Sequence, residues 1–186
     1  RVSRPQPLVR RLGLTANRCH SSDARRLDFA VFGLPIFGGL PLCADATIVS
    51  PLSDEGVPHP GCTEDADAVF ARAIREKRNT YRDLVDSNRC EFLVLAVGTG
   101  GRWHDDCIRL VTALARYRAE SEPSVLRRSM QLAYQRRWWS LLSVALHISI
   151  SAALDPTLDI AEVTFPVASA IDVWVRDPPA VSSLPA

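Results

Sequence analysis

The sequence is poor in lysine, methionine, aromatic residues and net charge, and each shortage narrows what the chain can be. Aromatic residues fill 7% of its 186 positions and charged residues 23%, against 47% hydrophobic ones. That balance excludes a disordered acidic tail and supplies the core of one ordinary domain. A chain of this size buries roughly 70% of the surface its unfolded form exposes, so it needs no metal or disulfide staple. The 22 basic and 21 acidic residues leave +1 at pH 7; contact with nucleic acid therefore has to come from local patches rather than from bulk charge. Cys19, Cys43, Cys62, Cys90 and Cys107 are odd in number and irregularly spaced, which excludes a secreted disulfide framework and a C-x-x-C zinc site and favours a reducing compartment. The pairs Cys19 with His20 and His59 with Cys62 likewise have no second half at zinc-finger spacing. The most apolar stretch, Trp138 to Leu154, is interrupted by His147 and by serines and falls short of the roughly 20 apolar residues that span a bilayer. The Arg-rich opening lacks the apolar run of a signal peptide. With Arg1 in first place, it points to a fragment of a longer reading frame.

What is present is more specific. Every basic residue except Lys77 is arginine, so a lone lysine stands out. From Arg26 to Leu34 the run RLDFAVFGL predicts a strand ending at Gly33 and Pro35,. Leu40 to Val49, LPLCADATIV, predicts a second strand stopped at Ser50 and Pro51,. Alternation places Cys43, Asp45, Thr47 and Val49 on one face and Leu42, Ala44, Ala46 and Ile48 on the other. Asp45 is then a carboxylate within an apolar strand. A turn-rich loop follows from Ser53 to Thr63. Thr63 as N-cap, with Glu64, Asp65 and Asp67 in the first turn, predicts a helix running to about Ser87. Its apolar stripe is Phe70, Ile74, Tyr81 and Val85, with Lys77 in the middle of that stripe. EFLVLAV, residues 91 to 97, predicts a central strand buried on both faces. Two helices are expected after it, about His104 to Ala119 and Ser124 to Leu154, parted by Pro123, with one more strand near Ala170 to Val175.

The order strand, strand, helix, buried strand, helix, helix predicts an α/β fold. A mixed central sheet of three to four strands is flanked by helices, with a C-terminal helical pair added. The expected organisation is a truncated segment at 1–25, the α/β domain at 26–154 and an extension at 155–186. Within it, Asp28 and Asp45 lie on consecutive strands, and two carboxylates meeting at one end of a sheet suit Mg²⁺. A helix that lays Phe70, Ile74 and Tyr81 on the sheet turns Lys77 inward, where an ammonium offsets charge in a phosphoryl transition state. The competing expectation is that Lys77 rests its stem on the apolar face and keeps its head in water. GTGGRW, residues 98 to 103, has the wrong spacing for a dinucleotide loop, and no G-x-S-x-G elbow accompanies Ser50, Ser53 and His59. Arg116, Arg118, Arg127, Arg128, Arg136 and Arg137, with Trp138 and Trp139 beside them, form either a phosphate-tracking face or a solvated one.

RLDFAV with Asp28, CADATIVSP with Asp45, EKRNTY with Lys77 and LVLAVGTGGRW together resemble the endonuclease-like C-terminal region of non-LTR retrotransposon polyproteins. That region is similar to the PD-(D/E)XK restriction-endonuclease-like fold. The resemblance spans roughly residues 25 to 154 and rests on the order of elements more than on any one short motif. It implies Mg²⁺ held by Asp28 and Asp45, Lys77 as the catalytic cation and Glu76 as a helper. It further implies DNA as substrate, the reverse transcriptase portion of the same polyprotein as partner, and an intracellular, nuclear location; Arg127, Arg128, Arg136 and Arg137, on the late helices, are the candidate DNA contacts. Three positions depart from the pattern: Leu27 replaces its proline, Thr47 its strand lysine, and Gly98 a glutamate that related copies carry. Two outcomes are therefore open, an endonuclease and a non-catalytic remnant that binds nucleic acid or protein.

Overall fold

A computed structural model describes residues 6–15, 22–65 and 67–154. The expected strand near Ala170 to Val175, the extension at 155–186 and the Cys19–His20 pair lie outside the described residues. The chain divides into two compact units, Arg1–Trp138 and Trp139–Ala186. The sheet and its covering helices belong to the first.

A single helical turn, α1 (Val9–Leu12), precedes strand β1 (Phe29–Val31). The tight turn at Phe37–Gly39 leads into β2 (Leu42–Val49). Helices α2 (Ala68–Thr80) and α3 (Arg82–Val85) are followed by β3 (Glu91–Gly98), α4 (Asp105–Ala119) and α5 (Arg127–Leu154). The three strands lie in the order β1-β2-β3. β1 runs antiparallel to β2, with Phe29 opposite Ala44, and β3 runs parallel to β2, with Asp45 opposite Val94. A parallel pair needs a crossover, and α2 with α3 supplies it.

The alternation expected of β2 sorts its side chains into two cores. On one face Cys43 packs with Leu27, Phe70, Tyr81, Leu84, Phe92, Val94 and Ala96. On the other Leu42 and Ala44 pack with Ile36, Leu93 and Leu110. The sheet is thus a filling between α2 on one side and α4 on the other, a mixed α/β arrangement.

Two expectations need correction. The helix expected over 63–87 starts at Ala68 and breaks at Tyr81. Upstream, Gly61 closes a turn with Asp65, and the Asp65 carboxylate accepts from the Asp67 amide, so these acidic residues serve the loop rather than a helical first turn. At Tyr81 the backbone leaves the helical region, φ −110° and ψ 29°. The second correction concerns EFLVLAV. It is buried on both faces, yet among the described residues its ladder is with β2 alone, beside an isolated bridge from Val97 to Trp103, so it lies at the edge of the sheet with β2 at the centre.

An open strand edge exposes unpaired amides and carbonyls, and β3 has its own covers. Asp106 Oδ2 accepts from the Val94 amide at 3.3 Å, the His104 amide donates to the Ala96 carbonyl at 3.0 Å, and the Gly98 amide donates to the Arg102 carbonyl at 2.8 Å. The Cys107 thiol donates to the Ala96 carbonyl at 3.4 Å; burial above all, then the nearby Asp106 charge, pushes that thiol up to about 12 and keeps it a donor. Asp106 is only 4% exposed. It is neutralised by Arg109, 3.1 Å from Oδ1, and by Arg78 of α2, 3.7 Å from Oδ2.

Asp106→Ala strands the Val94 amide and removes the acid shared by Arg109, which keeps Glu91, and the half-exposed Arg78; it should cost about 1–3 kcal/mol,. A lower urea midpoint at unchanged m-value reports the loss. Asp105→Ala, one position earlier and exposed, should stay within about 0.5 kcal/mol. Equal effects of the two would show that the edge contact does not stabilise the fold.

Candidate functional site

A carboxylate in mid-strand is tolerated only when a partner compensates its lost hydration. Asp45 is 5% exposed, and Lys77 Nζ stands 2.6 Å from its Oδ2. The lysine comes from α2, seven positions after the fully packed Phe70, so the stripe that seats the helix also aims the ammonium at the sheet. Its side chain keeps 34% of its surface in solvent. The inward pair and the wetted head, set against each other in the sequence, therefore coexist. The approach lies outside hydrogen-bond angles, which leaves the buried Asp45 Oδ2 with an ion-pair partner but no hydrogen-bond donor.

Tyr81, one turn after Lys77, completes the contact. Its hydroxyl donates to the Arg26 carbonyl and lies 3.4 Å from Asp45 Oδ1, so one phenolic proton serves two acceptors. Burial first, then the charges of Asp45 and Asp28, push the phenol up to about 12, with Arg25 pulling the other way. Tyr81 also packs its ring on Phe92, centroids 5.3 Å apart. Its stripe position identified it as core; its contact with Asp45 was also available from the i, i+4 spacing to Lys77.

Asp28 was expected within a strand over 26–34, but β1 begins at Phe29, so Asp28 stands just before it and reaches the strand beside Asp45 with its side chain. Its amide donates to the Ala44 carbonyl at 3.2 Å, and its Oδ2 accepts from the Ala46 amide at 2.6 Å. Where β1 runs out of backbone, this side chain continues the ladder. Oδ1 accepts from Gln6 Nε2 at 2.8 Å. Each oxygen thus accepts one bond and retains a lone pair. The segment before Asp28 is pinned to the α2–α3 junction by Arg25, which bonds the Thr80 carbonyl and pairs with Asp83 at 2.7 Å and Asp23 at 2.8 Å. The hydrogen-bonding Arg25 guanidinium holds the Asp83 carboxyl below the usual range.

The other residues singled out in the sequence stand apart. Glu76 is exposed and faces Arg72 at 4.0 Å rather than Asp45, so the helper role does not fit its position. Thr47 is half-buried on the Asp45 face. Gly98 pairs with Val49, four residues beyond the partner of Asp45, and so sits about 13 Å further along the sheet. Arg127 and Arg128 border a cavity of about 330 Å³ together with Arg116. Arg136 and Arg137 do not line it.

The donor set is small. Among the described residues no three His, Cys, Asp or Glu side chains gather as a metal cluster. Asp28 and Asp45 are two carboxylates with lone pairs to spare, the donor type of which Mg²⁺ takes one or two, and Asp45 Oδ2 already faces Lys77 Nζ at 2.6 Å. Comparison with protein-family models, curated proteins and solved structures finds no match. Among the described residues no helix is long and apolar enough to cross a membrane.

Two measurements check the geometry. Lys77→Met leaves Asp45 buried without its cation and should cost about 2–4 kcal/mol, more than the double variant Asp45→Asn/Lys77→Met; a double variant no more stable than the single one would refute the pairing. The raised Tyr81 phenol favours its neutral form in the folded state. Its contribution to stability is complete below the unfolded value of about 10 and is lost as pH rises through about 12. Phenolate absorbance of wild type minus Tyr81→Phe should show that late step, and Asp45→Asn should move it downward.

Proposed function

We propose that this chain is a retroelement-derived, endonuclease-like domain of restriction-endonuclease-like fold that hydrolyses DNA phosphodiesters with Mg²⁺. The observation that carries the reading is the Lys77–Asp45 contact of 2.6 Å on a strand bracketed by Asp28. Asp45 and Asp28 would hold the metal, which when bound polarises a phosphoryl oxygen and lowers the pKa of a bound water. The chain's own part is electrostatic. Lys77, with its head partly in solvent, meets charge that builds on the phosphoryl oxygens in the transition state. Asp45 holds that ammonium in place through the ion pair. Tyr81 braces Asp45 and ties it to the Arg26 backbone, so the acid cannot swing away from the sheet. The reverse transcriptase portion of the same polyprotein is the proposed partner, and the nucleus the proposed location.

The test is nicking of supercoiled plasmid with Mg²⁺ by wild type, Asp45→Ala and Lys77→Ala, each first shown to be folded by near-UV circular dichroism. Wild type should nick, and either variant should be slower by at least about 100-fold. Equal rates in all three would reject catalysis at this site. A folded wild type that does not nick would favour the non-catalytic remnant, in which the buried pair serves stability alone.

A further inference from the structure

The sheet face away from Lys77 carries a second surface. The cavity of about 510 Å³ between the turn at 35–37 and α4 and the cavity of about 330 Å³ between the end of α4 and the start of α5 are both bordered by Arg116 and Glu120. They form one groove along about 18 Å of α4. We propose that this groove binds a single strand of nucleic acid, its bases against Tyr117 and its phosphodiesters at Arg116, Arg127 and Arg128.

Charge and shape select that occupant. Arg25, Arg72, Arg78, Arg82, Arg102 and Arg109 are ion-paired within the protein. Arg116 and Arg128 have no acidic partner among the described residues, and Arg127 spends only its Nε, on the Glu122 carbonyl at 3.1 Å. Four arginines thus border the groove beside one carboxylate, Glu120; Arg109 is held by Glu91 and Asp106, and the other three have no acidic partner among the described residues. Beside them Tyr117 keeps 40% and Ile108 46% of their surface in solvent, an apolar and aromatic wall among cations. Unpaired guanidiniums next to an exposed ring suit backbone phosphates alternating with flat bases. In a duplex the bases are stacked inward and cannot lie on Tyr117, and an acidic peptide would use the arginines but have no need of the ring. The groove lies across the sheet from Asp45, and its binding does not rest on the chemistry proposed there.

Anisotropy of a labelled oligo-dT strand with the full chain, in EDTA and over a salt series, tests the groove apart from nicking. Oligo-dT should bind more tightly than the corresponding duplex or poly-glutamate. Arg116→Gln/Arg128→Gln should weaken binding at least about 10-fold and flatten the slope of log K against log salt by about 1.4, two phosphate contacts being lost. Tyr117→Ala should weaken it about 5- to 150-fold with the slope unchanged. These side chains are exposed, and unchanged thermal melts of both variants secure the comparison. Undiminished affinity in both, or duplex or poly-glutamate bound as well as oligo-dT, would overturn the proposal.

Discussion

A carboxylate placed in the middle of an apolar strand sets the terms for everything packed above it. Asp45 gives up nearly all its contact with water, and leaving such a group unpaired costs several kcal/mol. The cation that answers it comes from α2, and that fixes the rotation of the helix as firmly as its apolar residues do. Phe70, Ile74, Lys77 and Tyr81 share one stripe; three of them fill the core and one neutralises it. Tyr81 then links the same carboxylate to the backbone before β1. Core packing and site geometry are here one arrangement, because the residues that seat the helix on the sheet are the ones that address Asp45.

Among the described residues the sheet has three strands, and two edges are a large fraction of so small a ladder. The β3 edge is closed by unlike groups: a carboxylate, two backbone groups of the loop at 102–104 and a thiol. Asp106 has the widest reach, since it belongs to α4, bonds β3 and is flanked by Arg78 of α2. Helices on opposite faces of the sheet thereby meet around its rim. On the β1 side a side chain, Asp28, extends the ladder past the last paired residue. Polar side chains standing in for missing strands allow a sheet this narrow to keep its backbone satisfied.

Much of this was legible in the residues, and the failures have physical causes. Periodicity placed β2, β3, α4 and most of α2, because each buries a face whose spacing matches its element. The inward turn of Lys77 followed from the same stripe. Short-range periodicity says nothing of how far a strand is paired, and so β3 was expected at the centre: continuous apolarity reports burial by helices above and below, which an edge strand also enjoys here. The early start expected for α2 failed because Asp65 caps a turn as readily as a helix. Asp28 was expected on a strand, but β1 begins one residue later, and its bond to the Ala46 amide depends on where that pairing starts, which no local pattern specifies. The role of Asp106 was hidden for the same reason, since its partner amide lies twelve residues away in sequence.

The exclusive use of arginine elsewhere has one more outcome. Lys77 is the only side chain in this sequence with a primary amine, and that amine is held against a carboxylate. Acylating or alkylating chemistry aimed at lysine therefore has a single side-chain address, and there the nitrogen stands 2.6 Å from a buried carboxylate oxygen. An enzyme that acetylates or ubiquitinates lysine would first have to pull the ammonium off the sheet, so such marking of this segment is tied to loosening α2.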